Sequence, residues 1–409
     1  MLDSAIKKVN CRSCNSTALE KVISLGNFHL SEFTNLNVKP KSYPLSLVIC
    51  TKCFLLQLQH TAPASVLYTE NYGYKSGIND TMRNELREIV QKSLKKIKGR
   101  KENVVCVDIG ANDGTLLKNY PNYVFKIGIE PIGKLAKECE KHANIIINDF
   151  FNYKAYIKLV GVRKASIITA ISCFYDIDNP NQFLSDVTKI LDENGIFVIQ
   201  QNYLKSMLEL NAFDNIVHEH LEYYSMYSLN NLLAKHGLEI FDVETNDVNG
   251  GSFRTYIAFK NRRKIQGSVF QLLRQEGKVG LDNKETYIRF AKRIKKSKKV
   301  LKDFIEKQIK KNKKIYVYGA STRGNTLLQY YKLNNRLITA AVERNPEKWG
   351  KKIASLGIPI ISEDQARREK PDYMLALPWF FKEEFLKRER KYLRSGGHFI
   401  FPLPFLEVI

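Results

Sequence analysis

Four cysteines stand in two pairs, Cys11-x-x-Cys14 and Cys50-x-x-Cys53. Zinc takes four tetrahedral ligands, and a Cys-x-x-Cys turn sets two thiolates on one side of the ion. Two such turns predict a closed, structural Zn2+ site of Cys11, Cys14, Cys50 and Cys53, with no coordination position left for water. A redox role would need only one pair. Cys106, Cys139 and Cys173 stand singly in apolar surroundings and read as buried small hydrophobes.

A second chemistry-bearing run is Val105-Cys106-Val107-Asp108-Ile109-Gly110-Ala111-Asn112-Asp113-Gly114. It reads as a strand that breaks into a glycine-rich turn at the carboxyl edge of a sheet, where nucleotides bind in this architecture. The spacing is Gly-x-x-x-Gly, not the Gly-x-Gly-x-x-Gly that lays a pyrophosphate on a helix N-terminus. Acidic and amide groups, Asp108, Asn112 and Asp113, crowd the turn, and its carboxylates would repel a pyrophosphate but suit the ammonium and sulfonium of S-adenosylmethionine. Glu130 closes the next strand, where a carboxylate accepts ribose hydroxyls. Asp149 and Phe150 follow the third and offer an adenine one hydrogen bond and one apolar face. The predicted cofactor set is therefore Asp108, Gly110, Asn112, Gly114, Glu130, Asp149 and Phe150.

His218-Glu219-His220 packs two imidazoles and a carboxylate into three residues. On a strand the two histidines would share a face; on a turn they would be capped and buried. Gly319 to Gly324 forms a second glycine turn, where Arg323 would meet a phosphate or where a Rossmann-like unit is kept for packing.

These residues need elements to carry them. Strand patterns at 104–108, 125–130, 145–147, 166–170 and 196–201 alternate with helical ones, after a helix over 79–98. This rhythm predicts an α/β fold with a mostly parallel sheet. Strands at 238–244 and 253–259 close it. A long helix, 282–311, carries apolar Ile288, Ala291, Ile294, Val300, Leu301, Phe304 and Ile305 at helical spacing. A second α/β unit begins at Lys314. With 409 residues, the chain divides into a zinc module (1–75), a core (76–265), a connector helix (266–312) and a C-terminal Rossmann-like unit (313–409).

The formal net charge is +23. No helix-turn-helix, RNA-recognition or finger pattern accompanies it, so solvated basic faces or an attraction for phosphorylated substrates explain it better than nucleic acid does. Residues 1–10 lack the apolar stretch of a secretory signal, and no run approaches the roughly 18 residues of a membrane span. A cytoplasmic protein with reduced thiols is expected. Oligomeric state has no marker in the sequence.

In this order the motifs resemble the sugar C-methyltransferase family, over nearly the whole chain. The resemblance rests on the paired cysteines, Tyr74-Lys75-Ser76-Gly77, Ile109 to Gly114, and Gly128-Ile129-Glu130-Pro131. It continues through Phe213 to His220, Gly250-Gly251-Ser252-Phe253-Arg254 and Tyr318 to Asn325. It implies a zinc module, a class I methyltransferase core and a C-terminal Rossmann-like domain. Members methylate a ring carbon beside the ketone of a nucleotide-linked 4-keto-deoxysugar. By the same resemblance His220 is the base, Glu219 helps hold sugar or histidine, and Tyr74 lies near the reacting sugar. Lys75, Arg254 and Arg323 fall on the substrate side. Two positions depart from the family pattern: Val217 where a Tyr is common, and Asp176 where a His appears. These leave room for methylation of oxygen or another heteroatom. A non-catalytic binding protein with this fold is the reading from another class.

Overall fold

The computed structural model describes residues 5–36, 40–68, 74–97 and 103–409. Its largest feature for the site is a seven-stranded sheet. The order is Leu238–Asn246, Ser252–Phe259, Leu191–Asn202, Ala165–Ile171, Val105–Ile109, Phe125–Ile129 and Ile145–Ile147. Five of these strands pair in parallel and the last two in chain order pair antiparallel at one edge. Chain order reverses between Val105–Ile109 and Ala165–Ile171, which opens a ligand crevice at their carboxyl ends.

Alternate side chains send the first strand to two cores. Val105, Val107 and Ile109 enter one, with Phe183, Leu184 and Val187 of the helix Pro180–Ile190. Val104 and Cys106 face the other, with Leu86, Ile89 and Val90 of the helix Asp80–Lys96. Strand periodicity of two produces this two-sided burial. Asn79 starts the latter helix by accepting from the Thr81 and Met82 amides, as an N-cap asparagine does. Its expected end, Lys98, lies outside the described residues.

The described residues of the zinc module hold two long strands. Leu19–His29 and Ser42–Cys50 form an antiparallel pair extended by Leu56–Leu58. Two partners come from far along the chain. Glu222–Tyr223, just after His220, pairs with Leu56–Leu58. Phe33–Thr34 pairs with Lys352–Ile353 and so ends the eight-stranded C-terminal sheet.

Between the two large sheets lie two helices, Gly267–Val279 and Lys284–Ile309, where one connector helix was expected. The second buries Tyr287, Phe290, Ile294, Leu301 and Ile305 and turns its lysines outward, while Val300 is exposed rather than packed. Its buried stripe joins the zinc-module core to that of the C-terminal unit. In that unit Ile315–Tyr318 pairs in parallel with Ala341–Glu343 and Tyr373–Ala376. Among the described residues no helix is long and apolar enough to cross a membrane.

Candidate active site

The four knuckle sulfurs converge. Cys11 Sγ lies 3.5 Å from Cys53 Sγ and Cys14 Sγ 3.5 Å from Cys50 Sγ, and all four lie within 4.8 Å of one another. Four sulfurs bound to one zinc at ~2.3 Å stand ~3.8 Å apart, so the cluster has the size the ion needs. Each knuckle ends on a left-handed residue, Asn15 and Phe54, whose amide bonds back to the first cysteine's carbonyl.

At the crevice, Gly110 and Gly114 have φ of +74° and +78°. A Cβ on Gly110 would meet the Cys173 sulfur at 3.1 Å, so this turn needs glycine for conformation and packing alike. Glu130 is buried and its two oxygens accept from the Asn112 amide at 2.8 Å and the Ile132 amide at 2.9 Å. Each oxygen keeps a second lone pair, so the carboxylate is fixed and still able to accept ribose hydroxyls. Asp108 is deeper than its predicted role suggests. It accepts from the Thr169 hydroxyl at 2.6 Å, and burial pushes its pKa up to about 7. Asp149 caps its own loop through the Phe150 amide, and the half-exposed Phe150 ring stands edge-on to Tyr68. The Asn112 side chain turns away from the crevice: its oxygen accepts from the Ser76 amide and its nitrogen donates to the Tyr74 carbonyl.

Beside the crevice opens a cavity of about 780 Å³. Its walls come from all three parts of the chain: Ser31 and Phe33, then Tyr74, Asp176, Glu219 and His220, then the Gly319–Arg323 turn. His218-Glu219-His220 is a bend rather than a strand, and the two histidines separate. His218 is buried with Nε2 on the Tyr43 carbonyl, a support for the zinc module. His220 reaches the cavity, its ring 4.4 Å from that of Tyr175. Its Nδ1 lies 2.9 Å from the Asn215 carbonyl. A carbonyl only accepts, so Nδ1 carries the proton and Nε2 carries the lone pair. Burial, then the Arg323 charge, lowers the His220 pKa to about 3, while burial raises that of Glu219 to about 7. Burial and then the neighbouring Glu219 push Asp176 up as well.

Tyr74 and Lys75 also line the cavity. Tyr74 is 45% exposed, and that exposure faces the cavity. Lys75 pairs with Glu138 at 2.9 Å and Glu347 at 3.1 Å, joining the core to the C-terminal unit. Arg323 lines the cavity too, bound to Asp214 at 2.7 Å and to the Asn249 carbonyl. Arg254 is a correction. Its side chain is 1% exposed, in ion pairs with Glu85 at 2.5 Å, Glu244 at 3.2 Å and Glu88 at 3.3 Å. It clamps the helix Asp80–Lys96 to the sheet and does not line the cavity.

Three family models cover the chain in this same order. Residues 11–68 match the one described as "Putative zinc binding domain", residues 78–243 the methyltransferase domain, and residues 247–404 the C-methyltransferase C-terminal domain. The C-methyltransferase NovU of Streptomyces niveus is 29% identical over 90% of this chain and 88% of its own. The chain is thus similar to C-methyltransferases along nearly its whole length. It is an S-adenosylmethionine-dependent enzyme with a zinc-binding module. Solved structures similar to this methyltransferase include one from Clostridium acetobutylicum, at 11% identity and a TM-score of 0.34, covering 45% of this chain and 93% of that one. Another is magnesium protoporphyrin IX methyltransferase from Synechocystis with bound S-adenosylhomocysteine, at 10% identity and 0.35, covering 46% and 91%.

One part of the methyltransferase's cavity went unread in the sequence. Glu343 ends the strand after the Gly319 turn and accepts from the Ala320 amide at 2.9 Å and the Asn345 amide at 3.0 Å. This repeats the arrangement of Glu130 on the Asn112 amide. The signal was present, since an acid closing the second strand after a glycine turn is the feature that marked Glu130. Asn202, which lines one recess with Tyr175 and His220, carried no such signal.

Proposed function

We propose that the enzyme methylates a ring carbon beside the ketone of a nucleotide-linked sugar, with His220 as general base. The observation that carries this reading is the His220 tautomer: Nδ1–H is committed to the Asn215 carbonyl, so Nε2 keeps its lone pair on a residue that lines the cavity. A carbon next to a ketone becomes nucleophilic only on losing a proton, which a positioned neutral imidazole takes. When bound, S-adenosylmethionine supplies the electrophilic methyl group. Glu130, the Gly110–Gly114 turn, Asp149 and Phe150 have the acceptors and the apolar face to hold it, and Asp108 supports them from beneath.

Glu219 completes the base. An imidazole whose conjugate acid has a pKa of about 3 accepts a proton weakly, but an ionised carboxylate in the same cavity raises that value. Tyr74 and Asp176 are placed to meet the sugar. Lys75 and Arg323 act chiefly on the shape of the cavity, because their charges already have carboxylate partners. Arg344, Lys348 and Arg388 line the cavity as well, each also paired with a carboxylate: Glu384, Glu343 and Glu363.

The test is to incubate the enzyme with labelled cofactor and a panel of nucleotide sugars, keto and non-keto, and then locate the methyl group. Label on a carbon beside the ketone supports the reading. Label on oxygen, or equal turnover of sugars lacking a ketone, overturns it.

A further inference from the structure

Ser76 and Gly77 are hydrogen-bonded to the cofactor turn. The Ser76 amide donates to Asn112 Oδ1 at 2.9 Å, and Asn112 Nδ2 donates back to the Tyr74 carbonyl at 3.3 Å. The Gly77 amide donates to Asp113 Oδ2 at 2.8 Å. A Cβ on Gly77 would lie 2.8 Å from that oxygen and 2.9 Å from Thr115 Oγ1, so any other residue would have to displace the Asp113 and Thr115 side chains. Asn112 is itself held in the left-handed region, at φ +52°, a conformation asparagine tolerates better than most residues. Its amide meanwhile donates to Glu130. One residue therefore touches the ribose-accepting carboxylate with its backbone and the Tyr74–Ser76 segment with its side chain.

We propose that Asn112 is a positioning residue that couples occupancy of the cofactor site to the placement of Tyr74 and Lys75 in the wall of the substrate cavity. The proposal rests on reading the crevice as the cofactor site and the cavity as the substrate site. A ligand that fixes Glu130 fixes the Asn112 amide. With its backbone set, the short Asn112 side chain has little freedom, and the Ser76 amide and Tyr74 carbonyl are held with it. Lys75, tied to Glu138 and Glu347, carries the placement across to the C-terminal unit. The acids and amides of this turn thus serve the substrate wall as much as the cofactor: Asn112 and Asp113 spend their side chains on residues 74–77. Filling the crevice first sets the cavity for the second ligand.

The experiment is amide hydrogen exchange of the full-length protein, with and without S-adenosylhomocysteine, beside calorimetric affinity for the same ligand. In the wild type the ligand slows exchange at Ser76 and Gly77 by about fivefold or more, the lower end of ordinary site-to-site coupling. Asn112→Gly keeps the left-handed backbone and the amide on Glu130 but has no side chain. Read at a ligand concentration that calorimetry shows to be saturating for this variant, the effect at Ser76 disappears. Asn112→Asp keeps the oxygen that accepts from Ser76 and restores part of it. Gly77→Ala, with Asn112 intact, weakens the effect from the opposite side. Should Asn112→Gly not fold, those two variants decide the matter. Ligand binding with no change at Ser76 and Gly77 in the wild type, or the full change retained in Asn112→Gly, overturns the proposal. A wild type that does not bind the ligand overturns the cofactor reading beneath it, and the proposal with it.

Discussion

His220 and Glu219 are neighbours in sequence with opposite electrostatic histories. Burial holds the imidazole neutral, with a pKa of about 3, and pushes the carboxyl up to about 7. Glu219 has a folded pKa above its unfolded value, so its stabilising contribution is complete below about pH 4.5 and is lost as pH rises through 7. Glu219→Gln removes that loss. Its stability relative to wild type should rise by up to about 3 kcal/mol between pH 4.5 and 8, measured by denaturant unfolding at each pH. Activity should move the other way. Wild-type kcat/KM climbs through pH 7 as Glu219 ionises and strengthens the base, and the Gln variant shows a lower, flatter profile. A Gln variant that keeps the wild-type climb removes Glu219 from the base.

Between residues and molecule stand the elements, and here Arg254 is instructive. Its Gly-Gly-Ser-x-Arg motif marked it for the substrate, yet its strand, Ser252–Phe259, buries it against the helix Asp80–Lys96. Arg254→Ala would leave Glu85 buried and unpaired, which costs about 3–5 kcal/mol. The expected result is a large fall in unfolding stability, with the affinity of the remaining folded protein for S-adenosylhomocysteine little changed. A stable variant with a raised KM for the sugar would return Arg254 to the substrate. The strands and helices of the central sheet were legible in the sequence because two-sided burial writes itself as apolar runs, as in Val104 to Ile109. The Arg254 partners were not legible, because a motif shows which residue is present and not which face of its strand points inward. Nor was the separation of His218 from His220. It depends on the carbonyl of Tyr43, in the strand Ser42–Cys50, and on that of Asn215, five residues before His220.

Across the whole molecule, the zinc module is tied into the reaction site. Glu222–Tyr223 follows His220 by two residues and pairs with Leu56–Leu58, next to the Cys50–Cys53 knuckle. Phe33–Thr34 reaches across to the C-terminal sheet. Strands of two residues carry no periodicity, so neither pairing was readable from sequence, although the cysteine pairs were. Zinc is therefore expected to support catalysis without touching substrate. Metal analysis should find about one zinc per chain. Chelation, or Cys50→Ser, should lower the thermal midpoint and the turnover together, because binding of a structural zinc is itself folding free energy. Full turnover in zinc-free protein would uncouple the module from the site.

The central claim is that His220 takes a carbon-bound proton, and the most direct measurement is exchange of that proton with deuterated water. The assay uses a nucleotide-linked 4-keto sugar, followed in the presence of S-adenosylhomocysteine so that no methyl is transferred. Wild-type enzyme should wash deuterium into the carbon beside the ketone. His220→Asn preserves a donor toward the Asn215 carbonyl but has no lone pair at Nε2. It should bind S-adenosylhomocysteine normally while exchange and methyl transfer both fall by roughly a hundredfold or more, the scale of a lost general base. A folded His220→Asn protein that exchanges the proton and transfers methyl at wild-type rates would contradict the assignment.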